Sequence, residues 1–141
     1  MTRPTRDQYM MQLAQVAAGR STCCRRAVGC VLTNSHGHVL AIGYNGVAAG
    51  LPHCEGENKC TGHDLAPGLD NCEAVHAEQN ALIQCRDPQA IDTAYVTLSP
   101  CKACLKLLMN TSCHRIVFAS EWEDPWSKAQ WLKLGREWSK L

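Results

Sequence analysis

Apolar and polar positions along the chain mark out its elements before any chemistry is considered. Met10, Leu13, Ala14 and Ala17 recur at the i, i+3, i+4, i+7 spacing of one helical face. Thr5 and Gln8 stand in front of them at capping-box spacing, and Gly19 follows as a stop. "AVGCVLT" and "VLAIGYN" have the composition of strands, and "NSHGH" between them predicts a hairpin turn at Gly37. His36 and His38 flank that turn and read as exposed turn residues. Residues 46–73 are rich in glycine and proline and carry little periodicity. A loop this long belongs in a compact domain when it is functional or tied down.

Regular patterning resumes after that loop. A helix is expected from about Glu73 to Cys85, with Ala81, Leu82 and Cys85 facing inward. "AYVTLS" is a third strand, "PCKACLKLLMN" a short helix with Pro100 in its first turn, and "RIVFAS" a fourth strand. "EWEDPW" reads as a loop. "SKAQWLKLGREWSKL" reads as a final helix with Trp131, Leu134 and Trp138 on one stripe, facing core or an interface. The order α-β-β-α-β-α-β-α predicts one α/β domain over residues 1–141. It contains a mixed sheet with helices packed on it and a cysteine-rich insertion at about 46–73.

Composition narrows the class. An apolar content of 45% over 141 residues supports a single core. The net charge of +1 and pI of about 7.6 lack the basic footprint of a nucleic-acid binder. "MTRPTRDQYM" has no apolar stretch of the signal-peptide kind, and no segment reaches the roughly 18 apolar residues of a membrane span. Ten cysteines are the anomaly. Without a secretion signal they point to a reduced, cytoplasmic setting, where metal and catalytic roles rise over disulfides. Cys30, inside "VGCVLT", and Cys85, on a helix, read as small buried residues, and Cys113 in "TSCHR" is grouped with them.

The chemistry concentrates in two stretches. Cys101 and Cys104 stand nearly one helical turn apart at a helix start, where the dipole favours thiolates. Alone, that spacing fits a metal site or a thiol–disulfide oxidoreductase. His76 opens another helix. With the two cysteines it completes three ligands of the kind Zn²⁺ prefers, leaving the fourth position open for water, as in catalytic sites. Glu78, about 200° around the helix from His76, is poorly placed to chelate the same ion, but suited to move protons between water and a substrate. A lone glutamate there would face solvent. His76-Ala77-Glu78 followed by Pro100-Cys101-Lys102-Ala103-Cys104 matches the signature of zinc-dependent nucleobase deaminases.

On "RSTCCRRAVGCVLT", "GYNGVAAGLPHC", "CEAVHAEQNALIQC" and "YVTLSPCKAC", the chain resembles the deoxycytidylate (dCMP) deaminases from about Arg20 to Ser120. The resemblance implies a cytidine-deaminase-like fold, with a central sheet and helices on both faces. It implies conversion of dCMP to dUMP and ammonia, feeding thymidylate synthesis, with Glu78 as the proton carrier. It gives Asn45 to the substrate sugar and Arg25 to the phosphate, and adds Ala77 and Ser99 to the substrate contacts. It implies a homo-oligomer, often a hexamer, activated by dCTP with Mg²⁺ and inhibited by dTTP near Tyr44, Asn45 and Gly46. It also implies a second, structural zinc on Cys23 and Cys54, with Cys60 or His63 as a third ligand and Cys72 as a fourth; Cys24 and His53 lie nearby. Unpaired thiols are the alternative there. The chain departs from its relatives in two places. Trp122-Glu123 replaces a tyrosine–arginine pair, and the fifth strand usual after the last helix is not marked, so the sheet has four strands or five. Two further readings stand beside the deaminase of a small nucleotide. A deaminase of a larger nucleic acid is disfavoured by charge, and a zinc-stabilised binding module is disfavoured by the intact Glu78.

Overall fold

A computed structural model of the chain describes residues 2–59 and 73–141. The first helix, α1 (Arg6–Ala18), begins on Thr5, whose hydroxyl accepts from the Gln8 amide while the Gln8 side chain returns to the Thr5 amide. The hairpin follows as β1 (Gly29–Thr33) and β2 (Val39–Tyr44), turning at Gly37 with φ 79°. Then come α2 (Ala77–Gln84), β3 (Thr93–Leu98), α3 (Lys102–Met109), β4 (Arg115–Ser120), α4 (Pro125–Lys133) and β5 (Glu137–Lys140).

The strands form one mixed sheet in the order β2-β1-β3-β4-β5. β1 pairs antiparallel with both β2 and β3, while β3, β4 and β5 run parallel. Alternation along the strands splits the core between two faces. Val31, Tyr95 and Val117 pack against Met10, Met11 and Ala14 of α1. Cys30, Leu32, Ala94, Val96, Ile116 and Phe118 point the other way, towards α2, α3 and α4. With both faces covered, every residue of β1 is buried. Cys30, Cys85 and Cys113 are buried members of the larger cluster, while His36 and His38 are exposed at the hairpin turn.

Three expectations change. The helix expected from Glu73 begins at Ala77, because Val75 makes an antiparallel bridge with Gly46 and holds the preceding backbone extended. Pro100 lies before Cys101, the cap of α3, rather than in the helix's first turn. The helix expected to run to the C-terminus ends at Lys133. Gly135, at φ 75°, turns the chain where a side chain would be strained, and residues 137–140 add a fifth strand. Trp131 stays in the core, with its indole N–H donating to the Glu137 carbonyl at 2.8 Å. Trp138 packs from β5 against Phe118, ring centroids 5.2 Å apart, and Leu134 is exposed.

Candidate metal centre and active site

His76 and Cys101 are the N-cap residues of α2 and α3, and both have extended backbone. The His76 amide donates to Gln79 Oε1 at 2.8 Å, which fixes the start of α2. The helix then sits hard on β2. A Cβ at Gly43 would lie 2.4 Å from the Ala77 carbonyl oxygen, so only glycine permits this approach. Asn80 Nδ2 ties the same helix to the Tyr44 carbonyl at 2.8 Å.

These constraints bring His76 Nδ1 to 3.2 Å from Cys104 Sγ and 3.4 Å from Cys101 Sγ. The three donor atoms lie within 4.8 Å of one another. Tetrahedral zinc, with Zn–N near 2.0–2.1 Å and Zn–S near 2.3 Å, needs donors roughly 3.4–3.8 Å apart, so this set fits a single ion after small adjustments. The electrostatics agree. A hydrogen bond from the Cys104 thiol, supported by His76, brings Cys101 down to about 4. That bond and burial push the Cys104 thiol far up, and the neighbouring Cys101 raises His76. The pair therefore holds one thiolate and one proton that a divalent cation would displace. A redox pair needs no imidazole between its sulfurs; this convergence selects the metal reading over the oxidoreductase.

Glu78 is 4% exposed, not a surface carboxylate. Desolvation, with the Cys101 thiolate nearby, pushes its carboxyl up to about 7. A buried carboxyl at that value, beside a zinc donor set, can both take and give a proton at neutral pH.

The other expected residues are distributed around this centre. Asn45 is buried, and its side chain clips the incoming segment: Nδ2 donates to the Arg26 carbonyl and Oδ1 accepts from the Val28 amide, both at 2.9 Å. One amide hydrogen and one lone pair remain for a ligand. Ser99 is buried and accepts the Trp122 amide at 2.7 Å. Ala77 is fully buried, and Arg25 and Tyr44 are half-buried. The space beside Gly46 is filled by Thr22, whose hydroxyl would stand 2.3 Å from an added Cβ. Protein packing therefore already requires the glycine.

At the second cysteine group, the structure brings Cys24 to Cys54, with sulfurs 3.0 Å apart. Cys54 is buried, and its amide donates to the Thr22 carbonyl. Cys23, the residue expected there, is half-buried, and its amide donates to Ser21 Oγ at 3.2 Å. Cys60, His63 and Cys72 lie outside the described residues. Sequence reasoning also missed the contact of the Arg26 guanidinium with the Trp122 ring, 4.4 Å to its centroid. "CCRR" offers adjacent equivalents, and nothing in their spacing separates Cys23 from Cys24 or Arg25 from Arg26.

No helix among the described residues is long and apolar enough to cross a membrane. The profile of the cytidine and deoxycytidylate deaminase zinc-binding region matches residues 4–120. The chain is 38% identical over 128 residues to a deoxycytidylate deaminase of Mycobacterium phage D29, covering 86% of this chain and 99% of that protein. It is 36% identical over 126 residues to a deoxycytidylate deaminase of Saccharomyces cerevisiae, covering 86% of this chain and 40% of the yeast protein. Among solved structures, the dCMP deaminase of cyanophage S-TIM5, in complex with dCMP and dUMP, superposes with a TM-score of 0.78 at 27% identity over the whole of both chains. The extent of the profile match, and 38% identity to a relative covered almost end to end, make this chain a member of the cytidine and deoxycytidylate deaminase family.

Proposed function

We propose that this chain hydrolyses the 4-amino group of dCMP, giving dUMP and ammonia. The observation that carries the reading is Glu78, a buried carboxyl held near 7 beside a zinc donor set. Zinc held by His76, Cys101 and Cys104 supplies, when bound, a water acidic enough to react at neutral pH. Glu78 takes a proton from water and delivers it to N3 of the cytosine. The water oxygen adds to C4, and Glu78 then carries that oxygen's remaining proton to the amine as the C4–N bond breaks and ammonia leaves. Burial suits Glu78 to this shuttle, because a solvated carboxylate would be too weak a base. The base and its phosphate are read from the relatives named for dCMP and from the dCMP- and dUMP-bound neighbour.

The test is ammonia release from dCMP, deoxycytidine, dCTP and a short tRNA hairpin by the zinc-loaded protein. The expected order has dCMP fastest by at least about tenfold, the scale of one charge-assisted contact. Preference for the hairpin would overturn the substrate while leaving the deaminase.

The same reading extends to dUMP supply for thymidylate synthesis in the cytoplasm, and to a homo-oligomer controlled by dCTP with Mg²⁺ and by dTTP around Tyr44-Asn45-Gly46. Asn45 supports the control, since it joins this segment to Arg26 and Val28. A dCMP saturation curve that is sigmoidal alone, hyperbolic with dCTP and shifted right with dTTP is the expected result. Three coincident curves would remove regulation and leave catalysis. A second, structural zinc is read at Cys24 and Cys54, whose adjacent sulfurs tie the segment after α1 to the loop after β2.

A further inference from the structure

Cys24 is the one exposed cysteine among the described residues. Cys30, Cys85, Cys104 and Cys113 are buried, and Cys101 is half-buried in the metal donor set. Cys24 Sγ lies 3.0 Å from Cys54 Sγ, closer than two sulfurs rest in van der Waals contact. A disulfide has sulfurs about 2.05 Å apart, so a movement of roughly 1 Å joins this pair.

The backbone holds the two sulfurs together. The Thr22 carbonyl accepts from the Cys54 amide at 3.2 Å, and the Thr22 amide donates to the Asn45 carbonyl at 3.2 Å. The Thr22 hydroxyl accepts from the Val47 amide, also at 3.2 Å. These bonds fasten the segment that carries Cys24 to both ends of the loop that carries Cys54. The two side chains are therefore positioned to react within one molecule.

We propose that Cys24 and Cys54 are a modification site, a dithiol that a hydroperoxide converts into a reversible disulfide. Cys24 reacts first, because oxidation follows exposure. Its sulfur bonds to the terminal peroxide oxygen as the O–O bond breaks. The rest of the peroxide leaves as an alcohol with the thiol proton, and Cys24 becomes a sulfenic acid. Cys54 then attacks the Cys24 sulfur. The S–S bond forms, the S–O bond breaks, and the oxygen leaves as water with the Cys54 proton. Two electrons have passed from the sulfurs to the peroxide. Where zinc occupies the group, the same electrons form the bond, the ion is released, and solvent supplies the two protons. That release rests on the reading of a second zinc; the link does not. The disulfide closes a ring from residue 24 to residue 54 that holds β1, β2 and Asn45. His76, Cys101 and Cys104 lie outside the ring and are not consumed. An accessible disulfide of this kind is the labile type that cellular thiols reduce.

The test treats the full zinc-loaded chain with tert-butyl hydroperoxide, then digests it without reductant for mass spectrometry. The expected first product is a peptide pair joining Cys24 to Cys54, lighter by two hydrogens than the separate peptides. Dithiothreitol reverses it. Cys24→Ser and Cys54→Ser lose the link, and Cys23→Ser keeps it. Thermal melting checks that each variant is folded, and Cys24→Ser, at an exposed position, keeps the test decisive if Cys54→Ser unfolds. Zinc content falls on oxidation from about two ions per chain to about one, the ion that stays being held by His76, Cys101 and Cys104. A link from Cys24 to any other cysteine, a Cys101–Cys104 link that forms first, or a sulfinic acid at Cys24 with no link overturns the proposal. A complete Cys24–Cys54 link with no loss of zinc removes the second zinc and leaves the dithiol, so the two readings fail separately.

Discussion

His76 Nδ1 lies 3.2 Å from the sulfur of Cys104, a residue 28 positions further along the chain. The contact joins the starts of α2 and α3, so the two helices meet at one donor set. Cys104 is fully buried, and its hydrogen bond with Cys101, together with burial, pushes its thiol up. Cys104→Ala removes a donor that nothing else described at this point can replace. The expected result is loss of the ion at this centre, read as zinc per chain after dialysis. Retention of the wild-type content would show that the ion sits elsewhere.

Glu78→Gln separates proton transfer from metal binding. The glutamine is nearly isosteric and stays in the same buried turn, but it cannot carry a proton. Zinc content and melting temperature should match the wild type, while ammonia release falls by about 10²–10⁴-fold, the usual worth of a positioned general acid–base. A rate within a few-fold of the parent removes Glu78 from the mechanism.

What sequence made legible here is local. Thr5 and Gln8 cap α1 because the capping box is an i, i+3 device. His76, Cys101 and Cys104 were readable because a metal constrains residue type and spacing together. Tertiary choices were hidden. Trp131 and Trp138 are seven residues apart, which satisfies a helical stripe as well as it does a helix, a turn and a strand. Gly135 alone breaks the pattern. The start of α2 depends on a bridge between Gly46 and Val75, remote in sequence, which overrides helix-compatible residues at 73–76. Arg26 and Arg25 have the same chemistry; only the path of the chain past Asn45 and Trp122 distinguishes them.

The same ambiguity makes the cysteine doublet testable. Cys24 Sγ stands 3.0 Å from Cys54 Sγ, while Cys23 is the ligand first expected beside Cys54. With a structural zinc at this group, metal-replete reduced protein carries about two ions per chain, one of each site type. Cys24→Ala and Cys54→Ala then drop the count towards about one and lower the melting temperature, as expected when a structural ion is lost. Cys23→Ala leaves the count in place. A loss with Cys23→Ala and none with Cys24→Ala would return the site to the ligand first expected, and a single ion in the wild type would remove the second site.

At the opposite end of the sheet, Asp7 of α1 accepts from Arg115 of β4 at 2.9 Å and from the Tyr95 hydroxyl at 2.7 Å. Arg115 also meets Glu137 of β5, so one guanidinium ties the first helix to the last strand. The arginine hydrogen bond is the main cause that holds the Asp7 carboxyl below its ordinary value of 3.8. The sign follows from linkage. A carboxyl with a depressed folded value binds protons more readily when unfolded, so its contribution is whole above 3.8 and is lost as pH falls through the lower folded value. Asp7→Asn should cost roughly 1.5–3 kcal/mol at neutral pH, the range for hydrogen bonds to charged groups at partly buried positions. Urea unfolding at several pH values checks the linkage: the gap between wild type and Asp7→Asn should hold steady from neutral pH down to about 5 and close below 4. Zinc content should not change, because none of the metal donors belongs to this network. A gap independent of pH would mean that Asp7 acts through packing and its bond to Tyr95 rather than through its charge.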